Sequence, residues 1–576
     1  MKKCIPWLAG LLCGQVLAAP PQVVLNAAPN RPDRKLHGRF LHITDIHPDP
    51  YYVEGTSQSS QCHRKESGKD QQAGYYGTPF GICDSPWTLT NFTFEHLEEH
   101  WSSEIDFVIW TGDNARHDED HEIPRPLDEI FAVNRAVAKK MEDVFLRKGI
   151  PVVPSLGNND VWQSSLALAA HASGFYLNDA FVFLTSTTTE YFISSIWDVF
   201  IPSASKTSFR KGAYYAIEVI PDALAAISLS TMYFYRDNKE LTAVRGCPVG
   251  DASDPGNLQF DWLEGQLEMF RARQMQVWVT GHIPPSDYHY HPECYYRYAE
   301  LSLRYQDVIL GSLFGHLNVD HFYFVEAADL NVSLEEDRMP SHSFEGTIFE
   351  ALMADFEALV KKSKHLNYDD YAVVNVSPSL VPNPYLPSFR VFSYNISGLE
   401  STTVGAVGED GYLLMTKKDR ASRWKHLPYR HGNDGNDKYQ CMDAGYRDSW
   451  RCKLRPWRSD SHAPSRQNTL WTPLGYAQYY IPQLEGYGEK DEPKFKLEYL
   501  TFPISKLYMA DGPVPLRNLP KSLREAGITK SELAPYGLGD LTIPSWLDLA
   551  CKLGKPREKK LRKQFRKYMY MGGENI

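Results

Sequence analysis

Short apolar runs recur from Arg39 onward, and each ends in a polar or glycine-containing turn. They are RFLHITDIH, DFVIWTGDN, IPVVPSLGNND, ALAAISLST, QVWVTGHIPP and DVILGSLFGHLNVDHF. Apolar stretches of this length, without alternation, predict strands buried on both faces. Between them the period lengthens. Leu258, Trp262, Leu263, Leu267 and Phe270 fall at helical spacing within 258–273, and LDEIFAVNRAVAKKMEDVFLRK predicts an amphipathic helix over 127–148. Strands alternating with helices indicate an α/β domain.

The pattern changes further along. Residues 331–366 have the character of an insertion, an acidic, Ser-containing loop leading into a helix near 347–362. DYAVVNVSP and SFRVFSYNI then predict a closing hairpin, which would end a catalytic domain spanning 39–400. Residues 401–576 are less periodic, richer in Arg, Trp, Tyr and Pro, and finish in a basic tail. Residues 20–38 have no period and predict a linker.

The first 19 residues are laid out as a targeting segment. Two lysines precede an apolar stretch, Cys4 to Ala19, with Val16 and Ala18 suited to cleavage before Ala19. An uncleaved signal-anchor attaching residues 4–19 to a membrane is the alternative. The stretch is short against the roughly 20 residues a span needs, and Pro6, Gly10, Gly14 and Gln15 interrupt it. Sequons at Asn91, Asn331, Asn375 and Asn395 agree with a secretory route and predict glycosylation. Of nine cysteines, seven lie beyond that segment and none forms CxxC, which argues for disulfides over a zinc ribbon. Cys62–Cys83 and Cys441–Cys452 are candidate local pairs, and an odd number leaves one thiol over.

A net charge of −10 excludes nucleic-acid binding by bulk electrostatics, so a polyanion must meet a local basic patch. Two stretches qualify. Arg447 to Arg466 interleaves Arg451, Lys453, Arg455 and Arg458 with Trp450 and Trp457. The tail KLGKPREKKLRKQFRKYMY is denser.

The strand ends carry candidate chemistry. Asp45 and His47 sit in D-x-H, Asp113 in TGD, Asn158 in GNND, His282 in TGH and His316 in FGH. Carboxylate, imidazole and amide oxygen together suit two divalent metals of borderline hardness. Such a pair activates water and stabilises charge developing on phosphorus. Each piece alone is commonplace; the ordered set, each after an apolar run, is a joint signal.

HITDIHPDPYY, YYGTPFGICDSPW, TGDNARHD, LGNNDVW, VTGHIPP and FGHLNVDHF resemble the calcineurin-like metallophosphoesterase superfamily. The nearest likeness is to fungal endopolyphosphatases, in its acid sphingomyelinase-like branch. The resemblance implies a β-sandwich flanked by helices, with two divalent ions (Mn, Mg, Co, Zn or Fe) and inorganic polyphosphate as partner. Asp45 and His47 would hold one ion, Asp113 would bridge, and Asn158, His282 and His316 would hold the other. It also implies vacuolar delivery, as a single-pass type II membrane protein or as a luminal one if the signal is cleaved. Acid sphingomyelinases have a histidine at the place of His117, which makes His117 a candidate acid. Arg116, His63, Arg64 and Lys65 are candidate phosphate contacts.

Two positions depart from the superfamily pattern. It usually has histidine, a proton donor, at Asn159, and a second histidine at Asn318, a first-site ligand that an amide oxygen replaces here. A phosphoanhydride explains the first. Its leaving group is a phosphate, whose second pKa is about 6, and departs without the proton an alkoxide requires. Hydrolysis of internal phosphoanhydride bonds is therefore the expectation. The competing readings are a sphingomyelinase-like phosphodiesterase and a non-catalytic polyanion-binding protein.

Overall fold

The computed structural model describes residues 35–65, 72–161, 196–237, 246–331, 347–399, 460–509 and 512–573. Two six-stranded sheets form its centre. In the first, β1 (Arg39–Ile43), β2 (Phe107–Trp110) and β3 (Val152–Pro154) run parallel. The antiparallel strands β10 (Ser388–Tyr394), β11 (Pro473–Tyr480) and β12 (Lys496–Leu500) continue from the other side of β1. In the second sheet β5 (Leu224–Ser228), β6 (Gln276–Thr280), β7 (Ile309–Phe314) and β9 (Tyr371–Val376) are parallel. β4 (Tyr215–Ile220) and β8 (His321–Glu326) close its two edges antiparallel.

The six apolar runs are indeed strands. They read as unbroken hydrophobic stretches because one face meets the other sheet and the opposite face meets helices. Phe40 stacks on Phe107 and Phe392 along its own sheet and meets Trp278 of the second sheet edge-on at 5.2 Å. The expected helices also form, as Leu127–Val144 and Pro255–Ala272. Asp254 caps the latter by accepting from the Asn257 N–H, with Pro255 in the first turn where its missing N–H costs nothing. Leu258 was expected on its apolar face but is 48% exposed, because the buried stripe runs through Phe260, Leu263, Leu267 and Phe270. The helix expected after the insertion is Ile348–Lys362, started by a capping box between Thr347 and Glu350.

Three expectations need correction. DYAVVNVSP and SFRVFSYNI do not pair as a hairpin: β9 belongs to the second sheet and β10 to the first. Adjacency in sequence misled, since each strand pairs with one far away. Nor does the packed unit stop near residue 400, because β11 and β12 extend the first sheet and share its core. Asn375 lies inside β9, 4% exposed, so this sequon is closed to a glycan in the fold. Asn91 is exposed on the Trp87–His100 helix, and the half-buried Asn395 donates to Asn468 Oδ1. The Asn331 side chain, Cys441, Cys452, residues 1–34 and most of the Arg447–Arg466 stretch lie outside the described residues. The disulfides seen are Cys62–Cys83 and Cys247–Cys294, and Cys551 is a buried free thiol.

A buried ion pair ties the added strands to the rest. Arg390 on β10 reaches Asp320 Oδ1 at 2.5 Å, and its Nε donates to Gln478 Oε1 on β11. Asp320 Oδ2 accepts from Gln478 Nε2 at 3.0 Å and from the Tyr499 hydroxyl of β12. All of this is out of water, so removing one charge strands the other. Arg390→Leu is expected to destabilise by about 3–5 kcal/mol, read as a lower midpoint in denaturant unfolding; an unchanged midpoint would refute the role given to this pair.

Candidate metal centre

Because β1, β2, β3, β6 and β7 share one direction within their sheets, their C-terminal ends open on one edge, where ligands gather in such sheets. Asp45 and His47 follow β1, Asp113 follows β2, Asn158 follows β3, His282 follows β6 and His316 and Asn318 follow β7. The turns are tight. Asp45, His47, Asp113, His316 and Asn318 all have positive φ, from 42° to 73°. Asp, Asn and His tolerate this left-handed conformation better than other side chains. The flanking glycines leave the room: a Cβ on Gly157 would lie 2.0 Å from Asp113 Oδ1, and one on Gly315 2.5 Å from Asp45 Oδ2.

Five of the expected side chains come together. Ligand atoms of Asp45, His47 and Asp113 lie within 4.8 Å of one another, as do those of Asp113, His282 and His316. Asp113 is common to both groups, the position of a bridging carboxylate. His282 Nε2 is 3.2 Å from Asp113 Oδ2 and 2.9 Å from Asn158 Oδ1. His47 Nε2 is 3.4 Å from Asp113 Oδ2 and 3.8 Å from Asp45 Oδ1.

Backbone carbonyls orient both imidazoles. His47 Nδ1–H donates to Ala115 O at 2.7 Å, and His282 Nδ1–H to Thr111 O at 2.8 Å. That fixes the tautomer and turns both Nε2 lone pairs inward. Lone pairs from carboxylates, imidazoles and an amide then face each other in a buried space, which only cations make stable. Protons can serve: burial opposes a charge on His47, but Asp45, Asp113 and Asp84 outweigh it and raise the pKa to about 10. Burial likewise opposes a charge on His282, and Asp113 and Asp45 raise it to about 9. His316 has less support. Burial, with His282 and His289 beside it, lowers it to about 3, so its nitrogen remains a free donor atom. Burial opposes ionisation of Asp113, yet His282, His47 and the Asn159 amide hold it well below the usual carboxylate range.

The donor set fits divalent metal ions. His47 Nε2 and Asn318 Oδ1 are buried with no hydrogen-bond partner, and both are expected ligands. Asn318 Nδ2 donates to Asn383 O at 2.8 Å, which fixes its amide and leaves the oxygen as the free end.

Asn159 does not leave a gap where a proton donor should be. Its N–H donates to Asp113 Oδ1 and its Nδ2 to Asp113 Oδ2, both at 2.8 Å. Arg125 Nη1 holds the other end, at 2.9 Å from Asn159 O and 3.4 Å from Oδ1. The amide is thus a clamp on the carboxylate common to both groups. His117, the candidate acid, lies beside His47. Its Nδ1–H donates to Asp84 Oδ1 at 2.7 Å, its ring stacks on His47 at 4.2 Å, and it is 28% exposed.

The expected phosphate contacts are otherwise engaged. Arg116 is buried, donating to Glu129 Oε1, Ile123 O and His117 O, and it braces the loop that carries His117. His63 bridges Asp49 at 2.6 Å and Asp120 at 2.7 Å, and Arg64 also binds Asp120. Burial opposes a charge on His63, but the two carboxylates outweigh it and raise its pKa. Lys65 alone of the four is exposed. The acidic partners Asp49, Asp120 and Glu129 reach these basic groups only in the folded chain.

Sequence reasoning also missed Asp84, Arg125 and Asp160. Asp160 closes the GNND turn and accepts N–H bonds from Asp113, Asn114, Ala115 and Gly157 at 2.7 to 3.2 Å. It locks the β2 and β3 turns together. Asp84 follows Cys83, so its disulfide marked it.

Asp160→Asn, with one acceptor oxygen for four donors, is expected to lower metal content and turnover by about 10–100-fold, checked by elemental analysis and assay; normal metal loading would dismiss the brace. Titrating metal into stripped protein at pH 7 should release protons, because His47 and His282 carry them below about 10 and 9. Affinity should therefore rise with pH across that range. Calorimetry in buffers of different ionisation heat tests this, and buffer-independent heats would contradict it.

A family profile described as Calcineurin-like phosphoesterase matches residues 38–320. A Cryptococcus neoformans protein named Endopolyphosphatase is 37% identical over 94% of this chain and 92% of its own length. Proteins of the same name from Schizosaccharomyces pombe (30% identical, 91% of this chain, 84% of theirs) and Saccharomyces cerevisiae (33%, 67% and 65%) are also similar. With the metal-ligand geometry in place on two mixed sheets, the chain belongs to the endopolyphosphatase family of calcineurin-like phosphoesterases.

Proposed function

We propose that the protein hydrolyses internal phosphoanhydride bonds of inorganic polyphosphate, with two divalent cations held by Asp45, His47, Asp113, Asn158, His282, His316 and Asn318. The observation that carries this reading is the convergence of His47 and His282 Nε2 on Asp113, with His47 Nε2 and Asn318 Oδ1 buried and lacking a hydrogen-bond partner. Bound divalent cations supply Lewis acidity and an activated water. The protein's own residues do the rest. Asp113 and Asn159 fix the spacing between the two halves of the site, and the carbonyls of Ala115 and Thr111 hold the imidazoles in register. His117, oriented by Asp84, delivers or takes a proton at Nε2 on the open side. An anhydride needs little of that help, which agrees with an amide at Asn159. A sphingomyelinase-like esterase would want a donor there, and a mere polyanion scaffold has no use for a buried ligand set.

The targeting segment and the disulfides support a secretory route to the vacuole. Attachment through residues 4–19 goes with an uncleaved signal, and a luminal protein with a cleaved one. Among the described residues no helix is long and apolar enough to cross a membrane.

Long-chain polyphosphate incubated with the protein and Mn, Mg, Co or Zn should yield intermediate lengths on a gel. Steady loss of terminal phosphate would overturn endo-cleavage, and hydrolysis of sphingomyelin alone would overturn the substrate. Asp113→Ala should abolish turnover. His117→Asn should lower kcat on polyphosphate by about 100-fold or less with little change in KM; an unaltered kcat removes His117 from the mechanism.

A further inference from the structure

The helix Lys559–Met569 carries Lys559, Lys560, Arg562, Lys563, Arg566 and Lys567 among 11 residues, with no acidic group in its first turn. The two arginines are used for docking. Arg562 donates to Glu357 at 3.1 Å, and Arg566 lies over the Phe349 ring. The apolar side, Phe565, Tyr568 and Met569, is buried against Phe322, Tyr499 and their neighbours. Lys559, Lys560, Lys563 and Lys567 are left exposed, at spacings that place them along one face. No side chain of the four makes an ion pair or hydrogen bond among the described residues, although the Lys567 charge acts on the buried Glu498 carboxyl from a distance.

This arrangement works against the helix. Like charges at i and i+4 repel, and Lys559 and Lys560 sit at the positive end of the helix dipole. Local stability does not account for them. The direction of the row does suggest a use. The helix runs about 16 Å, and its last turn abuts the catalytic loops. Met569 O accepts from the Asp320 N–H, two residues beyond Asn318, and Gly573 packs against the Phe80 ring, four residues before Asp84. The lysine row thus runs from open surface toward the side of the molecule that carries the Asn318 and Asp84 loops.

We propose that this face is an accessory binding track for polyphosphate, holding chain distal to the bond being cut; this rests on the substrate reading above. A flexible chain with a charge on every unit complements an unpaired lysine row on a protein that is otherwise anionic, at −10 overall. A membrane surface fits less well, since the apolar face such a helix would insert is already consumed by the core.

The test is the combined variant Lys560→Glu, Lys563→Glu, Lys567→Glu beside the matching Lys→Arg set. In EDTA at low salt, affinity for long-chain polyphosphate should fall about tenfold or more in the glutamate variant and hold in the arginine one. With metal present, kcat/KM should fall similarly for long chains and stay within about twofold for tripolyphosphate, which also shows that the site still folds. Equal binding by variant and wild type overturns the proposal. So does equal loss on long and short substrates, or a loss confined to phosphatidylserine vesicles or RNA. If polyphosphate binds through these lysines but is not cleaved, the hydrolase reading fails and the track stands.

Discussion

The Asp113 carboxylate is the constraint around which the rest is arranged. It is buried, ionised, and faced by two imidazoles from different sheets, His47 after β1 and His282 after β6. A charge in that position is stable only if donors surround it at fixed distances. The Asn159 amide and backbone supply two such donors, and Asp160 holds the turns that carry both partners. Loosening either turn by a fraction of an ångström would spoil both halves of the centre at once, because Asp113 belongs to both.

Backbone conformation enters the same account. Five of the expected ligands sit at positive φ, a region that costs about 1–2 kcal/mol for a side chain bearing a Cβ. The surrounding hydrogen bonds offset that cost: Thr44 and the His316 N–H on Asp45, and Asp160 on the Asp113 turn. Ligands from separate strands can then meet in one small volume.

The periphery follows a different logic. β11 and β12 bring Gln478 and Tyr499 into a buried polar network with Arg390 of β10 and Asp320, behind the β7 turn. Asp320 lies two residues from Asn318, so the distant end of the chain steadies the loop that presents a ligand. β11 and β12 are part of the support of the site.

The sequence by itself determined the strand ends and the ligand types. Apolar runs closed by D-x-H, GD, GN and GH are local patterns, and local patterns survive in one dimension. It also showed helices, through apolar residues at helical spacing such as Leu263, Leu267 and Phe270. It could not show that β9 and β10 part company into different sheets, because β9 takes β7 and β8 as partners while β10 takes β1 and β11. Charge was the least legible feature. Arg116, His63 and Arg64 looked available to phosphate, and only the folded chain brought Glu129, Asp49 and Asp120 against them. Asn159 was ambiguous for the same reason. Its identity was plain, but whether its amide faced a leaving group or Asp113 was decided by the meeting of two turns 46 residues apart.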